Sequence, residues 1–576
     1  MIDRTRFPLR LLRSAPLSAL AVFLLPGGAS AEISARSPED ALRDRLCFRV
    51  EAMAATAEPV AAGERVHAAE TAVPFYRARG MGPAWVASGG GGTAAEELIR
   101  SIERAGEEGL RPGDYHLEAL RDLLRRSEEA GPLGNEDLVD LDILLTDAWL
   151  LYGAHRVSGR VNPETIDAEW VAKRREVDLA AALEGALAAG RVAEALDDLL
   201  PDAPGYGRLR EAFAKYRKIA ASVDWDTVAA GEMIHPGDQG PRVLGMRFLL
   251  YKVGDLDTTA VPVPDLYDRG LAAAVRRFQA RHGLDADGVV GPKTIEALNT
   301  PPSKRARQIL LNLERWRWLP QDLGPRHLRV NIADFRLQAV ENGRPVLDMA
   351  VIVGRDYRRT PVFTGTMTYL VLNPTWEVPH QLAVMDVLPE IRKDPSYVER
   401  LRFQVFAGWG GTDGPLDPDD IDWGALSRGS FPYRLRQLPG PANALGRVKF
   451  MFPNRFSVYL HDTPAKELFR KPERAFSSGC IRVERPLDLA RYVLRGYPLG
   501  NETALETAIG TGEERTVKLP VPIPVHLLYW TAWVDEEGAE HFRRDIYGRD
   551  RLLDEALRED PPEPEDVPAG GGRESR

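Results

Sequence analysis

Cys480 and His461 are the two side chains whose types and spacing could carry covalent chemistry. The chain has only two cysteines in 576 residues, so sulfur has little structural use in it. Cys480 sits in the run Ser477-Ser478-Gly479-Cys480-Ile481-Arg482, downstream of Val458-Tyr459-Leu460-His461-Asp462-Thr463-Pro464. A thiolate is a strong nucleophile toward a carbonyl carbon, and an imidazole within reach lowers the thiol pKa and later delivers the proton. The small residues before Cys480 expose backbone N–H groups, and those of Gly479 and Cys480 are expected to hold the oxyanion that forms on attack. The chemistry implied is acyl transfer. Taken alone, Cys480 could equally be a buried small hydrophobe.

The elements that must position this pair can be read from local pattern. Phe456 to His461 alternates like a strand, with Val458 and Leu460 on one side and Tyr459 and His461 on the other. His461 is therefore expected to share the space of Tyr459. Ser477-Ser478-Gly479 reads as a tight turn presenting Cys480, and a helix is expected from Pro486, with Asp488 in its first turn and Gly496 as a stop.

The stretch from His461 through Cys480 to Arg482 resembles the signature of the L,D-transpeptidases, cysteine enzymes that cross-link peptidoglycan. In that match His461 is the base, Ser477 the signature serine, Gly479 the glycine, Cys480 the nucleophile and Arg482 the polar residue after it. Many members carry a histidine where this chain has Ser478. The resemblance extends through Asn373-Pro374-Thr375-Trp376-Glu377-Val378-Pro379, Arg436 to Pro441, Asn443 to Gly446 and Lys449 to Asn454, and is to the large multidomain periplasmic branch. It implies catalytic roles for Cys480, His461, Gly479 and Ser478, and substrate contacts for Arg482, Tyr459, Trp376 and Ser477. Trp376 and Tyr459 read equally well as core aromatics.

Length and charge agree with an exported, multidomain protein. A chain of 63.8 kDa is too long for one core. A net charge of -10 argues against a nucleic-acid binder. Near the cysteine the balance reverses, with Lys466, Arg470, Lys471, Arg474, Arg482 and Arg485, a setting that suits a carboxylate-rich stem peptide or is simply a solvated charged loop. Residues 1–31 read as a signal peptide: Arg4, Arg6, Arg10 and Arg13, an apolar centre from Leu17 to Leu25, and Ala29-Ser30-Ala31 as a cleavage site. The apolar run is shorter than the ~20 residues of a spanning helix. Periplasmic location and no membrane span in the mature chain follow, with Cys480 expected as a free thiol beside Cys47.

The expected fold is multidomain α+β: a helical scaffold domain (32–225), a small three-helix peptidoglycan-binding domain (226–300), a helical linker (301–325) and a β-rich catalytic domain (326–550) with a cap inserted at about 380–446. The acidic, Pro-rich end at 560–576 is expected to be disordered. Leu138, Leu141, Leu145, Ala148 and Leu151 mark a scaffold helix; Ser88 to Gly92 reads as a linker; His116 and His155 lack a second ligand at useful spacing and read as structural. Leu271, Val275 and Phe278 form the apolar stripe of one helix in the small domain, and Val243, Leu244, Met246, Phe248 and Leu250 supply its partner. A helix-turn-helix DNA reader competes for this unit, but export and acidity count against it. In the catalytic region Glu341-Asn342-Gly343 marks a hairpin turn.

The resemblance implies a mechanism without metal or organic cofactor. Cys480 attacks residue 3 of a tetrapeptide stem, D-alanine leaves, and a stem amine resolves the thioester into a 3-3 cross-link. The partners implied are peptidoglycan stem peptides and glycan, with carbapenem β-lactams as covalent inhibitors. Three alternatives stay open: the same thiol used as a carboxypeptidase, endopeptidase or lipoprotein-attaching or detaching enzyme; an inactive wall-binding protein; and a papain-like protease, which the order and spacing of histidine and cysteine disfavour.

Overall fold

The computed structural model describes residues 37–559, apart from 88–89, 172–173, 223 and 409–413. The expected signal peptide (1–31) and C-terminal tail (560–576) lie outside the described residues, as does part of the Ser88 to Gly92 run. The fold is α+β, with the helices first and a β-rich region, the one expected to be catalytic, after them.

The helical region is organised around α1 (Asn135–Ser158), whose apolar residues Leu138, Leu141, Leu145, Ala148 and Leu151 are buried along with most of its other faces. Two acids lie inside this helix because each is used as an acceptor. Asp142 takes hydrogen bonds from the amides of Ala84, Trp85 and Val86, and Asp147 from those of His67 and Ala68. Such pairing offsets the cost of removing a carboxylate from water. His116 Nε2 meets the same Asp147 at 2.7 Å, and Tyr115 Oη lies 3.0 Å from His155 Nδ1. Both histidines thus sit in internal hydrogen bonds, in line with structural roles.

The chain continues through α2 (Pro204–Ser222) into three short helices, α3 (Pro241–Lys252), α4 (Arg269–Arg281) and α5 (Pro292–Asn299). Leu271, Val275 and Phe278 of α4 pack with Val243, Met246 and Leu250 of α3. Leu244 and Phe248 do not join them; they are 47% and 44% exposed. Their positions fall on the neighbouring face of a 3.6-residue helix, so an apolar run alone overstated what α3 buries.

Helix α6 (Pro302–Arg317) departs further from expectation. Read as a charged linker, it is a buried hub, packed on α2 and against the catalytic region. Two of its buried charges are paired: Arg317 with Glu314 at 2.9 Å and Arg315 with Asp550 at 2.5 Å. Ion pairing lets a sequence that looks solvent-facing lie in a core.

The catalytic region contributes β1 (Arg326–Asn331), β2 (Arg336–Glu341), β3 (Arg344–Gly354), β4 (Phe363–Leu372), β5 (Trp376–Glu377), β6 (Phe403–Ala407), β7 (Tyr433–Gln437), β8 (Val448–Met451), β9 (Leu460–His461), β10 (Ala475–Ser477), β11 (Ile481–Val483) and β12 (Arg515–Leu528). The β2–β3 turn has Asn342 and Gly343 at φ +47° and +78°, the left-handed pair a two-residue hairpin needs. The main sheet runs β10-β3-β11-β9-β8-β4-β12-β1-β2, and β2 also pairs with β3, so the sheet closes on itself. Leu328, Val330, Leu337, Val351, Leu370, Phe450, Leu460, Ile481 and Val525 fill its core. The inserted segment builds its own small sheet, β6-β7-β5, over a separate cluster including Val384, Leu388, Ile391, Val405 and Leu435.

Candidate active site

Strand register assembles the site. β9 and β11 are parallel, with Leu460 opposite Ile481 and His461 opposite Arg482; β8 and β9 are antiparallel, with Lys449 opposite His461. Because side chains alternate along a strand, Phe450, Leu460, Ile481 and Val483 enter the core. Lys449, His461 and Arg482 are thereby left on the opposite face, while Tyr459 and Cys480 immediately precede β9 and β11, so the strand expected over Phe456 to His461 is regular only at Leu460–His461. The Tyr459 and His461 rings lie 5.6 Å apart, and Lys449 Nζ is 4.1 Å from the Tyr459 ring centre. The expected sharing of space by Tyr459 and His461 is what the structure shows.

His461 is buried, and its Nδ1 donates to the carbonyl oxygen of Asp462 at 2.5 Å. A carbonyl only accepts, so the ring proton of the neutral imidazole is on Nδ1 and Nε2 carries the free lone pair. Burial, followed by the positive charge of Arg482, pushes the imidazole pKa down to about 3 despite the Asp462 carbonyl. Asp462 is itself anchored: its carboxylate accepts from Lys466 Nζ at 2.5 Å, Thr463 N at 2.7 Å and Arg447 N at 2.9 Å. Gly446 backs it at φ +60°, where a Cβ would collide with the carboxylate.

The thiol behaves differently from expectation. Burial pushes the Cys480 pKa above its ordinary 9.0, against the opposing pull of Tyr459, Lys449 and Arg482. The resting group is a thiol beside a neutral ring, not a thiolate held by an imidazolium. Its Sγ donates to Ser457 O at 3.8 Å, and among the described residues no hydrogen bond joins it to the His461 ring. Ser457 is a non-glycine residue at φ +55°, in a turn held by Asn454 Oδ1, which accepts from the amides of Phe456 and Val458. Both cysteines are free.

The turn before Cys480 corrects several single-residue expectations. Ser477 is buried; its Oγ accepts from Gly479 N at 3.2 Å and donates to Cys480 O at 2.5 Å. It therefore locks the turn and has no surface to offer a substrate. Gly479 supplies φ +111°, but its amide is committed to Ser477 and is not open to an oxyanion. Ser478 is exposed and accepts from Arg358 Nη1 at 2.9 Å, while the same guanidinium pairs with Asp386 in the inserted segment at 2.6 Å. Trp376 is half-buried at the edge of the cap cluster, 6.5 Å from the Phe403 ring. Arg482 sits beside His461 in register, and its buried Nε has no hydrogen-bond partner among the described residues.

Sequence reasoning missed Lys449, Ser457 and Arg358 as parts of the site. Lys449 could have been found by continuing the alternation of Val448 and Phe450 across to His461. The others are brought in by loops, and nothing local marks them. Among the described residues no group of three or more His, Cys, Asp or Glu side chains is placed to hold a metal ion.

Comparison with known proteins adds to this geometry. Residues 325–517 match the family model of the L,D-transpeptidase catalytic domain. The β-rich region is thus similar to an L,D-transpeptidase catalytic domain. Residues 70–213 match a scaffold domain and 239–298 a "Putative peptidoglycan binding domain". A curated Haemophilus influenzae protein named "Putative L,D-transpeptidase" is 35% identical over 268 residues, covering 45% of this chain and 53% of the relative. The chain thus spans about half the length of that relative. A solved L,D-transpeptidase fragment from Xylanimonas cellulosilytica matches at 17% identity over 52% of this chain and 98% of its own, with a TM-score of 0.17; at that score the likeness carries no argument. The cationic face at Lys449 and Arg482 is a chemical feature independent of these matches. No helix of the described residues is long and apolar enough to cross a membrane.

Proposed function

We propose that this chain is an L,D-transpeptidase that uses Cys480 to cross-link peptidoglycan stem peptides. The observation that carries the reading is the lone pair left on His461 Nε2 when Nδ1 donates to the Asp462 carbonyl, on a ring in register with Arg482 and one strand away from the Cys480 turn. A turn of the Cys480 side chain from Ser457 toward His461 starts the reaction, a change between ordinary rotamers. His461 Nε2 takes the thiol proton as Sγ attacks the carbonyl of the third stem residue, and the Cys480 amide receives the oxyanion. Collapse breaks the C–N bond, His461 returns the proton to the leaving amine, and D-alanine departs, leaving a thioester. The side-chain amine of a neighbouring stem then attacks the thioester, losing a proton to His461, and the 3-3 amide forms as Sγ leaves.

Arg482 suits a carboxylate of the stem peptide, since its buried Nε lacks a partner and Lys449 adds charge on the same face. In this reading the protein works in the periplasm, and its peptidoglycan-binding unit (226–300) and helical region keep the catalytic region (326–550) at the wall. Carbapenems, as acyl-donor mimics, would acylate Cys480.

Purified protein incubated with tetrapeptide muropeptides, with products resolved by mass, tests the proposal. Cross-linked dimers that disappear in Cys480→Ala support it. Tripeptide products alone would replace transpeptidation by hydrolysis, and no product at all would reject the acyl-transfer reading.

A further inference from the structure

The geometry points to Thr360 as the residue that aims the oxyanion-binding amide of the nucleophile turn, an inference that rests on the acyl-transfer reading above. Thr360 is fully buried in the connection between β3 and β4, far in sequence from the signature around Cys480. Its Oγ1 accepts from Gly354 N at 2.9 Å and donates to Gly479 O at 2.8 Å. An amide can only donate, so the single hydroxyl proton goes to Gly479, and the direction of this bond is settled.

The consequence follows from the planarity of the peptide bond. The Gly479–Cys480 peptide is trans, and in a trans peptide C=O and N–H point to opposite sides. Fixing the Gly479 carbonyl against buried Thr360 therefore turns the Cys480 N–H away from that contact. Two neighbouring backbone groups of the turn are occupied, because Ser477 Oγ takes the Gly479 amide and donates to the Cys480 carbonyl. With the Gly479 amide committed, the amide of the nucleophile itself is the donor that meets a developing oxyanion, and Thr360 sets its orientation.

Thr360 is held from elsewhere in the chain. Its amide donates to Tyr547 Oη at 3.3 Å, and its carbonyl accepts from Arg549 Nη1 at 3.2 Å. Tyr547 Oη in turn donates to Gly354 O at 2.5 Å, while Arg549 pairs with Asp167 at 2.7 Å and Glu169 at 3.3 Å. The backbone of 169–171 also runs alongside Val362, with Val171 N donating to Val362 O and Val362 N to Glu169 O, both at 2.8 Å. The C-terminal segment and the stretch after α1 thus brace a positioning residue that never touches the substrate.

Two reagents separate positioning from packing. Acylation by imipenem forms the Sγ–C bond, breaks the ring C–N bond and protonates the ring nitrogen, passing through an oxyanion; alkylation by iodoacetamide displaces iodide and forms none. Both rates are followed by intact mass on full-length wild type, Thr360→Val, Thr360→Ser and Cys480→Ala. We expect Thr360→Val to acylate about 10- to 100-fold more slowly, the scale of a misaimed transition-state donor, while alkylation stays within about twofold. Thr360→Ser, which keeps the hydroxyl, should recover acylation to within about threefold. Acylation by Thr360→Val at the wild-type rate overturns the inference, and so does a proportional loss of both reactions, which would mark Thr360 as packing only. A wild type that alkylates at Cys480 but never acylates rejects the acyl-transfer reading itself, and the role of Thr360 falls with it.

Discussion

Replacing His461 with alanine separates two ways in which an imidazole can serve a thiol. In an ion pair the ring is cationic and lowers the thiol pKa, so a thiolate exists well below pH 7. Here burial and Arg482 push His461 down to about 3, and burial pushes Cys480 above 9.0. At pH 7 the thiolate fraction is then below about one in a hundred, since each pKa unit is a factor of ten. Removing a neutral ring should leave that fraction almost untouched. Iodoacetamide alkylation of Cys480, measured from pH 5 to 9.5, should rise about tenfold per pH unit in both wild type and His461→Ala, with rates agreeing within about threefold. Acylation by a tetrapeptide stem needs proton removal during attack, and losing the general base should cost about 10²- to 10⁴-fold, or about 3–5 kcal/mol of barrier. A reactive plateau below pH 7 that vanishes in His461→Ala would refute the neutral-pair reasoning.

Two further outcomes follow from the same contacts. Ser477→Ala removes the acceptor of the Gly479 amide and the donor to the Cys480 carbonyl at a buried position, so unfolding of the catalytic region should lose about 1–3 kcal/mol in a denaturant titration; an unchanged midpoint would remove the turn-locking role. His461 and His155 are held at about 3 and His526 at about 4, against an ordinary 6.5, all by burial first. The unfolded chain therefore binds these protons more readily, so their contribution is fully present above pH 6.5 and is lost as pH falls through 6.5 toward 4. At pH 5 each histidine should cost about 2 kcal/mol, and a melting temperature that stays flat from pH 7.5 to 4.5 would contradict this.

Much of the site was legible because its signals are short-range. A small-residue turn at Ser477-Ser478-Gly479 and a helix opening at Pro486 each depend on neighbours in sequence, and the observed helix spans Pro486–Val493. Asn342-Gly343 marked its turn for the same reason. Of the strand expected over Phe456 to His461, however, only Leu460–His461 forms, because Ser457 turns at φ +55°. The role of α6 was hidden because a charged helix reads as solvent-facing until its partners are known, and Asp550 lies far along the chain from Arg315. Leu244 and Phe248 show the converse, apolar residues left exposed because two neighbouring helices can cover only one face of a third.

The order of residues determined that a thiol on a small-residue turn and an upstream imidazole are the chain's candidate reacting pair, because motif spacing leaves little freedom over a few residues. Tertiary structure alone decided their state. Burial sets the protonation of His461 and Cys480, the Asn454 turn places the carbonyl that Sγ now faces, and Thr360 reaches Gly479 from another loop. Such effects arise from groups distant in sequence that share one low-dielectric space, where a charge or an unpaired donor costs far more than it does in water.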